Sequence, residues 1–365
     1  FLKRDIIQIF YNMKKEIVIN DKKIGFNTEP YIIAELSGNH NGDINRAINL
    51  IDAAVASGAN AIKLQTYTAD TLTIDSNRSE FIVKGGPWSG QKLYDLYKQA
   101  STPWDWHPTI FQYAQKKNIH CFSSPFDDSA VDFLDSLSAP AYKIASFEIV
   151  DIPLIKKASS KNKPLIMSTG VADYNEIGEA CDAASKFGAD GYALLHCISD
   201  YPSHAKDMKL KTIQELKSHF NVPIGLSDHT IGSTVAVAAI TLGATIIEKH
   251  ITLSRLDGGP DSTFSSEPDE FKKLVQDCKN IFKANTSDSN NVSGTSKSNA
   301  IFRRSIFVVK DMKKGEVFNK DNIRSIRPGL GLKPKFFDEI LGKKASMDLE
   351  RGEPLSWEKI ITCKQ

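Results

Sequence analysis

The chain has 365 residues, 41% apolar and 25% charged, with a net charge of +2, a balance that suits neither a nucleic acid nor a membrane surface as partner. No run approaches the ~18 apolar residues of a membrane span, and the basic start at residues 1–12 has no signal-peptide core or cleavage pattern. Five scattered cysteines, without a C-x-x-C pair, argue for reduced thiols in the cytoplasm and against disulfides or structural zinc.

In chain order, Met13 followed by KKEIVI reads as the authentic start, with residues 1–12 upstream or foreign sequence. Eight short, nearly continuous apolar runs then follow: YIIAEL (31–36), AIKLQTY (61–67), HCFSSP (120–125), AYKIAS (141–146), PLIMSTG (164–170), YALLHC (192–197), PIGLSD (223–228) and TIIEKHI (245–251). Such runs are expected of parallel strands buried on both faces. Between them lie amphipathic helical patterns, among them INRAINLIDAAVASG and NEIGEACDAASKFG, several closed by the helix-stopping Gly. Eight alternations over about 250 residues are the count of a (β/α)8 TIM barrel. The competing doubly wound sheet is disfavoured because no G-x-G-x-x-G follows the first strand.

The connection 68–107 is far longer than usual and carries Trp88, Tyr94, Trp104 and Trp106, so it reads as a lid or specificity element. After the barrel (1–284), the Ser/Asn/Thr-rich stretch 285–300 reads as a linker and 301–365 as a small second domain. That domain holds 15 Lys and Arg against 9 Asp and Glu, an appendage suited to docking by charge or to placing a cation over an anionic substrate.

Polar residues gather where the strands end: Glu35, Lys63, Gln65, Ser123, Ser124, Lys143, Ser146, Ser168, His196, Ser227, Asp228, His229, Glu248, Lys249 and His250. This is the face on which barrels of this kind build their active sites. His229 and His250 close adjacent strands and are candidates to share one divalent ion with open coordination positions, which favours a labile manganese or magnesium over structural zinc. Lys63 and Lys143 among serines suit a compact anion carrying phosphate and carboxylate, although a Schiff-base lysine also fits. Glu35 and Glu148 remain for proton handling or hydroxyl binding. Spacing alone reaches no further than metal-assisted carbonyl or phosphoryl chemistry.

At these residues the chain resembles the sialic acid synthase family, through IIAELSGNHNGD, AIKLQTYTADTLT, CFSSPFD, AYKIASFE, STG, GLSDHT, IEKH and GPDS, then FRRS, RSIRPGLGL and LGKKA. The stretch FIVKGGPWSGQKLYDLYKQASTPWDWH resembles the pseudaminic branch. The resemblance implies a barrel followed by an antifreeze-like (SAF) domain, working as a homodimer in which that domain crosses to the partner's active site. It implies condensation of phosphoenolpyruvate with an open-chain N-acylated amino sugar, 2,4-diacetamido-2,4,6-trideoxy-altrose in the pseudaminic branch, with the legionaminate or N-acetylneuraminate precursor as the alternative acceptor. The product would decorate flagellin or a surface glycan. Carried over by motif, His229 and His250 correspond to metal ligands, and Lys63, Ser124, Lys143, Ser146, Ser168 and Ser227 to phosphoenolpyruvate contacts. Glu148, with His250, corresponds to the catalytic centre, Gln65, Tyr201 and Asp261 to sugar contacts, and Arg327 to the small-domain arginine that reaches the partner's sugar. Two departures, Asn41 for Glu and Ser199 for Asn, are expected to lie in the sugar-binding region and to turn the site away from N-acetylmannosamine.

Overall fold

The computed structural model describes residues 15–286 and 297–361, so the proposed start at Met13 and most of the expected linker lie outside the described residues. The chain divides into two compact units, Phe1–Ser287 and Asp288–Gln365.

The first unit opens with a feature the sequence reading missed, a hairpin of β1 (Glu16–Ile19) and β2 (Lys22–Gly25). Eight parallel strands follow and close into a barrel: β3 (Tyr31–Glu35), β4 (Ala61–Thr66), β5 (His120–Pro125), β6 (Tyr142–Ile144), β7 (Leu165–Ser168), β8 (Tyr192–Cys197), β9 (Ile224–Asp228) and β10 (Ile246–His250). β10 pairs back onto β3, with Ile246 opposite Tyr31 and His250 opposite Glu35. All eight lie within the runs expected to be strands.

The helices are α1 (Ile44–Ser57), α2 (Ala69–Leu72), α3 (Leu93–Ala100), α4 (His107–Lys116), α5 (Asp128–Ser136), α6 (Ile152–Ser159), α7 (Tyr174–Lys186), α8 (Thr212–Phe220), α9 (Thr234–Thr241) and α10 (Pro268–Thr286). Local chemistry sets their ends. In α1 the Asp43 carboxylate accepts from the Asn45 N–H and the helix stops at left-handed Gly58, while Asp173 and Glu176 form a reciprocal capping box on α7. The buried face of α1 is Ala47, Leu50, Ile51 and Ala54, the i, i+3, i+4 spacing of a helix packed on a sheet. α10 runs two residues into the stretch read as linker, because Phe271, Leu274, Val275 and Cys278 keep its inner face buried.

Period-two alternation sorts each strand between two cores. Ile32, Ala34, Ile62, Leu64, Tyr142, Ile144 and Met167 face the helices. Tyr31, Ile33, Ala61, Phe122, Ala141, Ile166, Leu195 and Ile246 fill the lower barrel, and Ile17, Ile19 and Ile24 of the hairpin plug its N-terminal end. Gly225 is required in this layer, since a Cβ there would lie 2.5 Å from both the Ile246 carbonyl and the Leu195 side chain. Continuing the inward parity toward the strand ends gives Glu35, Lys63, Gln65, Ser124, Lys143, Ser168, Cys197, Ser227, Glu248 and His250. The barrel interior therefore changes from apolar to charged over two residues of each strand.

The same alternation corrects four expectations. Ser123, His196, Asp228 and Lys249 have outward parity and serve the shell: Ser123 meets Thr66 at 2.6 Å, His196 meets the Met208 carbonyl at 2.6 Å, and Lys249 pairs with Asp228 at 2.8 Å.

The second unit has its own core of Ile306, Val308, Met312, Phe318, Ile323, Ile340, Leu349, Leu355 and Ile360. It is built from the antiparallel pair β11 (Ser305–Val308) and β12 (Ile323–Ile326), the short helix α11 (Phe337–Ile340), and the pair β13 (Lys344–Ala345) and β14 (Ile360–Ile361).

Candidate active site

The two interior lysines have opposite surroundings. Lys63 Nζ lies 2.7 Å from a Glu35 carboxylate oxygen, 3.5 Å from Glu248 and 3.3 Å from Ser124 Oγ. Burial alone would lower its ammonium pKa, but Glu248 and Glu35 outweigh that and hold it above the ordinary value. Lys143 Nζ instead donates to Ser168 Oγ at 2.6 Å and to the Ile144 carbonyl at 3.1 Å. Among the described residues no carboxylate pairs with it, and it is 2% exposed. Burial lowers its pKa. A buried cation held only by neutral oxygens costs several kcal/mol, and the anion able to relieve that cost is what the site is built to receive.

Around this cation stand Ser168, then Ser146, whose hydroxyl meets Ser199 Oγ at 2.9 Å, and Ser227, which donates to Glu248 at 3.4 Å. Ser199, expected in the sugar-binding region, bonds Ser146, a residue expected to hold the anion. Asn41 sits on the rim, in the left-handed conformation at φ 51°, and its amide donates to the Gly258 carbonyl at 3.1 Å. Asn is among the few side chains at ease in that conformation.

Glu148 follows β6 on a tight turn, Ser146–Glu148. Burial pushes its carboxyl up to about 7, with the Lys143 charge opposing, and its Oε2 is buried without a hydrogen-bond partner. Glu248 Oε2 and His250 Nδ1 are likewise buried and unpartnered. Three unpartnered buried polar atoms at the strand ends are unusual in a folded chain.

His229 and His250 emerge side by side, because Asp228 and Lys249 are in register; their ring centroids are 5.5 Å apart. His229 Nδ1 meets the Ile198 carbonyl at 3.0 Å; burial would lower the ring's pKa, but the hydrogen bond and charge of Cys197 outweigh burial and raise it. Among the described residues no three His, Cys, Asp or Glu side chains come together as a metal cage. The unpartnered His250 Nδ1 and the neighbouring His229 ring are the donors that could hold an ion here. Cys197, which sequence reading treated as an ordinary thiol, joins this corner. Burial would raise its pKa, but the hydrogen bond and charge of His229, with Lys143, outweigh burial and lower it. Its inward parity on β8 was the signal available in the sequence.

On the far side, Gln65 Nε2 donates to Glu35 at 3.1 Å and to Ser37 Oγ at 3.0 Å, and Ser37 in turn donates to Asp261. Asp261 lies 4.0 Å from His250 Nδ1, and burial raises its pKa. Tyr201 packs on His229 at 4.4 Å and on Phe264 at 5.1 Å. Ser124, Lys63, Glu35, Gln65, Asp261, His250, His229 and Tyr201 are thus linked by a chain of contacts at the strand ends; Arg327 is exposed on the second unit.

The long connection divides its four aromatics. Trp104 stacks on Phe133 at 4.8 Å, Trp106 meets His40 edge-on at 5.5 Å, and Tyr94 donates to Asp70 at 3.2 Å. These three fasten the loop. Trp88 alone of the four reaches the mouth, donating its indole N–H to the Pro260 carbonyl at 2.8 Å.

The family pattern of NeuB matches residues 50–290. The chain belongs to the NeuB family. A SAF domain matches residues 303–361, which makes this NeuB-family chain a barrel followed by an SAF domain. It is 45% identical to the pseudaminic acid synthase of Campylobacter jejuni (strain 81-176), over 90% of this chain and 97% of that one. To the N,N'-diacetyllegionaminic acid synthase of Legionella pneumophila it is 36% identical, over 90% of this chain and 94% of that one. Among solved structures it resembles the N-acetylneuraminic acid (sialic acid) synthetase of Leptospira borgpetersenii, with a TM-score of 0.69 and 35% identity, covering 79% of this chain and 94% of that one.

Proposed function

We propose that this chain is a pseudaminic acid synthase, condensing phosphoenolpyruvate with 2,4-diacetamido-2,4,6-trideoxy-altrose to give pseudaminic acid and phosphate. The observation that carries the reading is Lys143, a buried ammonium whose hydrogen bonds go only to Ser168 and the Ile144 carbonyl, near enough to the unpartnered Glu148 carboxyl for its charge to act on it. In this reading Lys63, Ser124, Lys143, Ser146, Ser168 and Ser227 hold the phosphate and carboxylate of phosphoenolpyruvate, and Gln65, Tyr201 and Asp261 hold the sugar. C3 of phosphoenolpyruvate bonds to the aldehyde carbon, water adds at C2, and phosphate departs with its bridging oxygen. Glu148, with a carboxyl near neutrality, carries a proton between the attacking water and the new hydroxyl.

His229 and His250 are the residues that would hold a divalent ion, manganese or magnesium, which would polarise the aldehyde as a Lewis acid. Higher identity to a pseudaminic than to a legionaminic acid synthase favours the trideoxy acceptor.

A homodimer in which Arg327 of one subunit reaches the partner's sugar belongs to the same proposal. In support, Phe147, Val171, Ile231 and Leu256 expose apolar surface on the loops after β6, β7, β9 and β10, while Phe302 and Leu330 do so near Arg327 in the chain. No helix among the described residues is long and apolar enough to cross a membrane, and four buried free cysteines suit the proposed cytoplasmic setting.

The test is phosphate release from phosphoenolpyruvate with manganese, run with the trideoxy sugar beside N-acetylmannosamine. Release with the trideoxy sugar alone, stopped by a chelator, is expected. Release only with N-acetylmannosamine would move the chain to the sialic branch.

A further inference from the structure

The tip of the 82–92 hairpin lies against an aromatic cluster of Tyr201 and Phe264. Ile82 bridges Lys92 in antiparallel fashion, Val83 and Gly90 exchange backbone bonds with Gln91 and Val83, and Gly85, Gly86 and Gly90 take positive φ. This compact excursion presents Trp88. The indole lies 5.4 Å from Tyr201 and 6.3 Å from Phe264 by ring centroids, and Tyr201 and Phe264 in turn pack against His229 and His250. The result is one aromatic wall running outward from the histidine pair, with Trp88 as its outermost ring.

The chemistry of that outermost ring is narrow. The single polar atom of the indole is committed to Pro260. Pro260 adjoins Gly258 and Gly259, and the Asn41 side chain holds that turn through Gly258; a Cβ on Gly259 would lie 2.1 Å from the Asn41 side-chain oxygen. The turn is thus fixed from one side by Asn41 and from the other by Trp88, and the indole itself has no polar atom left for a ligand.

We infer that Trp88 selects the acceptor at C6, forming an apolar seat for a methyl group that a hydroxymethyl group cannot use. The inference rests on the proposed function and deepens it. With the aldehyde carbon at the histidines, C6 of an open-chain acceptor is the atom farthest out, in the direction of Trp88. A methyl group there is buried against the indole, whereas a 6-hydroxyl would lose water and find no partner. Discrimination of this kind in an apolar seat is worth roughly 10- to 100-fold.

The experiment compares kcat/KM for 2,4-diacetamido-2,4,6-trideoxy-altrose and for the same sugar bearing a 6-hydroxyl, in wild type, Trp88→Ala and Trp88→Phe. Wild type is expected to prefer the 6-deoxy sugar by roughly 10- to 100-fold. Trp88→Ala should bring the ratio close to one, mainly by losing the 6-deoxy reaction, while Trp88→Phe, which keeps a ring but not the tie to Pro260, should retain most of the preference. A ratio unchanged in Trp88→Ala, with both variants melting like wild type, overturns the inference and leaves the proposed function standing. A wild type that releases phosphate with neither sugar overturns the proposed function and this inference together, a pattern distinct from the first.

Discussion

Removing each interior lysine in turn separates its binding role from its structural one. In Lys143→Met the side chain keeps its length and loses its charge. Since Lys143 donates only to Ser168 and the Ile144 carbonyl, the change breaks no ion pair; Glu248 loses the attraction of that charge but keeps Lys63 at 3.5 Å, so the cost in stability is smaller than for Lys63→Met. The anion, however, loses a buried charged partner, at about 2–5 kcal/mol, or roughly 30-fold to a few thousand-fold in affinity. In Lys63→Met the balance reverses. Glu35 and Glu248 are left as two carboxylates, at 0% and 5% exposure, without the cation between them, at about 3–5 kcal/mol of stability. Thermal denaturation without substrate, paired with titration of phosphoenolpyruvate, reads both quantities. Lys143→Met should melt closer to wild type than Lys63→Met and bind phosphoenolpyruvate at least ~30-fold more weakly, and Lys63→Met should melt several degrees lower. If Lys143→Met loses as much stability as Lys63→Met and binds phosphoenolpyruvate normally, Lys143 is structural and the anion argument is wrong.

Other outcomes follow from single residues. Glu148 keeps its proton to about 7 in the folded chain, against 4.5 as its ordinary value. Its contribution to stability is complete below that ordinary value and is lost as pH rises through about 7. Glu148→Gln should flatten the stability of the substrate-free protein across this window and remove a matching limb from the pH profile of kcat. His229→Ala and His250→Ala should each abolish the signal of protein-bound manganese in electron paramagnetic resonance while leaving the circular dichroism of the barrel intact. Gly225→Ala should cost several kcal/mol and reduce soluble yield, because the added methyl meets backbone at 2.5 Å. If the second domain serves the partner's site, mixing inactive His229→Ala with inactive Arg327→Ala subunits should restore activity in the mixed dimers, measured as phosphate release; two variants that stay inactive after mixing would place both residues in one subunit's site.

The barrel was legible because strands buried on both faces leave nearly unbroken apolar runs, so YALLHC and PIGLSD stood out without any help from spacing. The hairpin at 16–25 was not, since its alternating EIVI covers one end of the barrel and reads as an ordinary leader to the first strand. Polarity at the strand ends located the active face but not the inward set. Ser123 beside Ser124, and Lys249 beside His250, differ only in parity, which requires the exact strand register. The long connection stood out by its length and aromatics, yet Trp104 and Trp106 fasten it to the shell and Tyr94 bonds Asp70 within the connection itself. Only tertiary packing distinguishes Trp104, stacked on Phe133, from Trp88 at the mouth. Ser199 shows the same limit, because spacing alone does not reveal that a residue on the loop after β8 bonds Ser146.

The account stands most directly on the fate of the carbon atoms of phosphoenolpyruvate. With manganese and the trideoxy sugar, the product mixture analysed by mass spectrometry and proton NMR should contain one nine-carbon 2-keto acid for each phosphate released, and no pyruvate above the level of enzyme-free controls. Pyruvate in place of that acid would mean that the basin hydrolyses phosphoenolpyruvate without joining it to a sugar, and the condensation proposed for Lys143, Glu148 and the histidine pair would be contradicted.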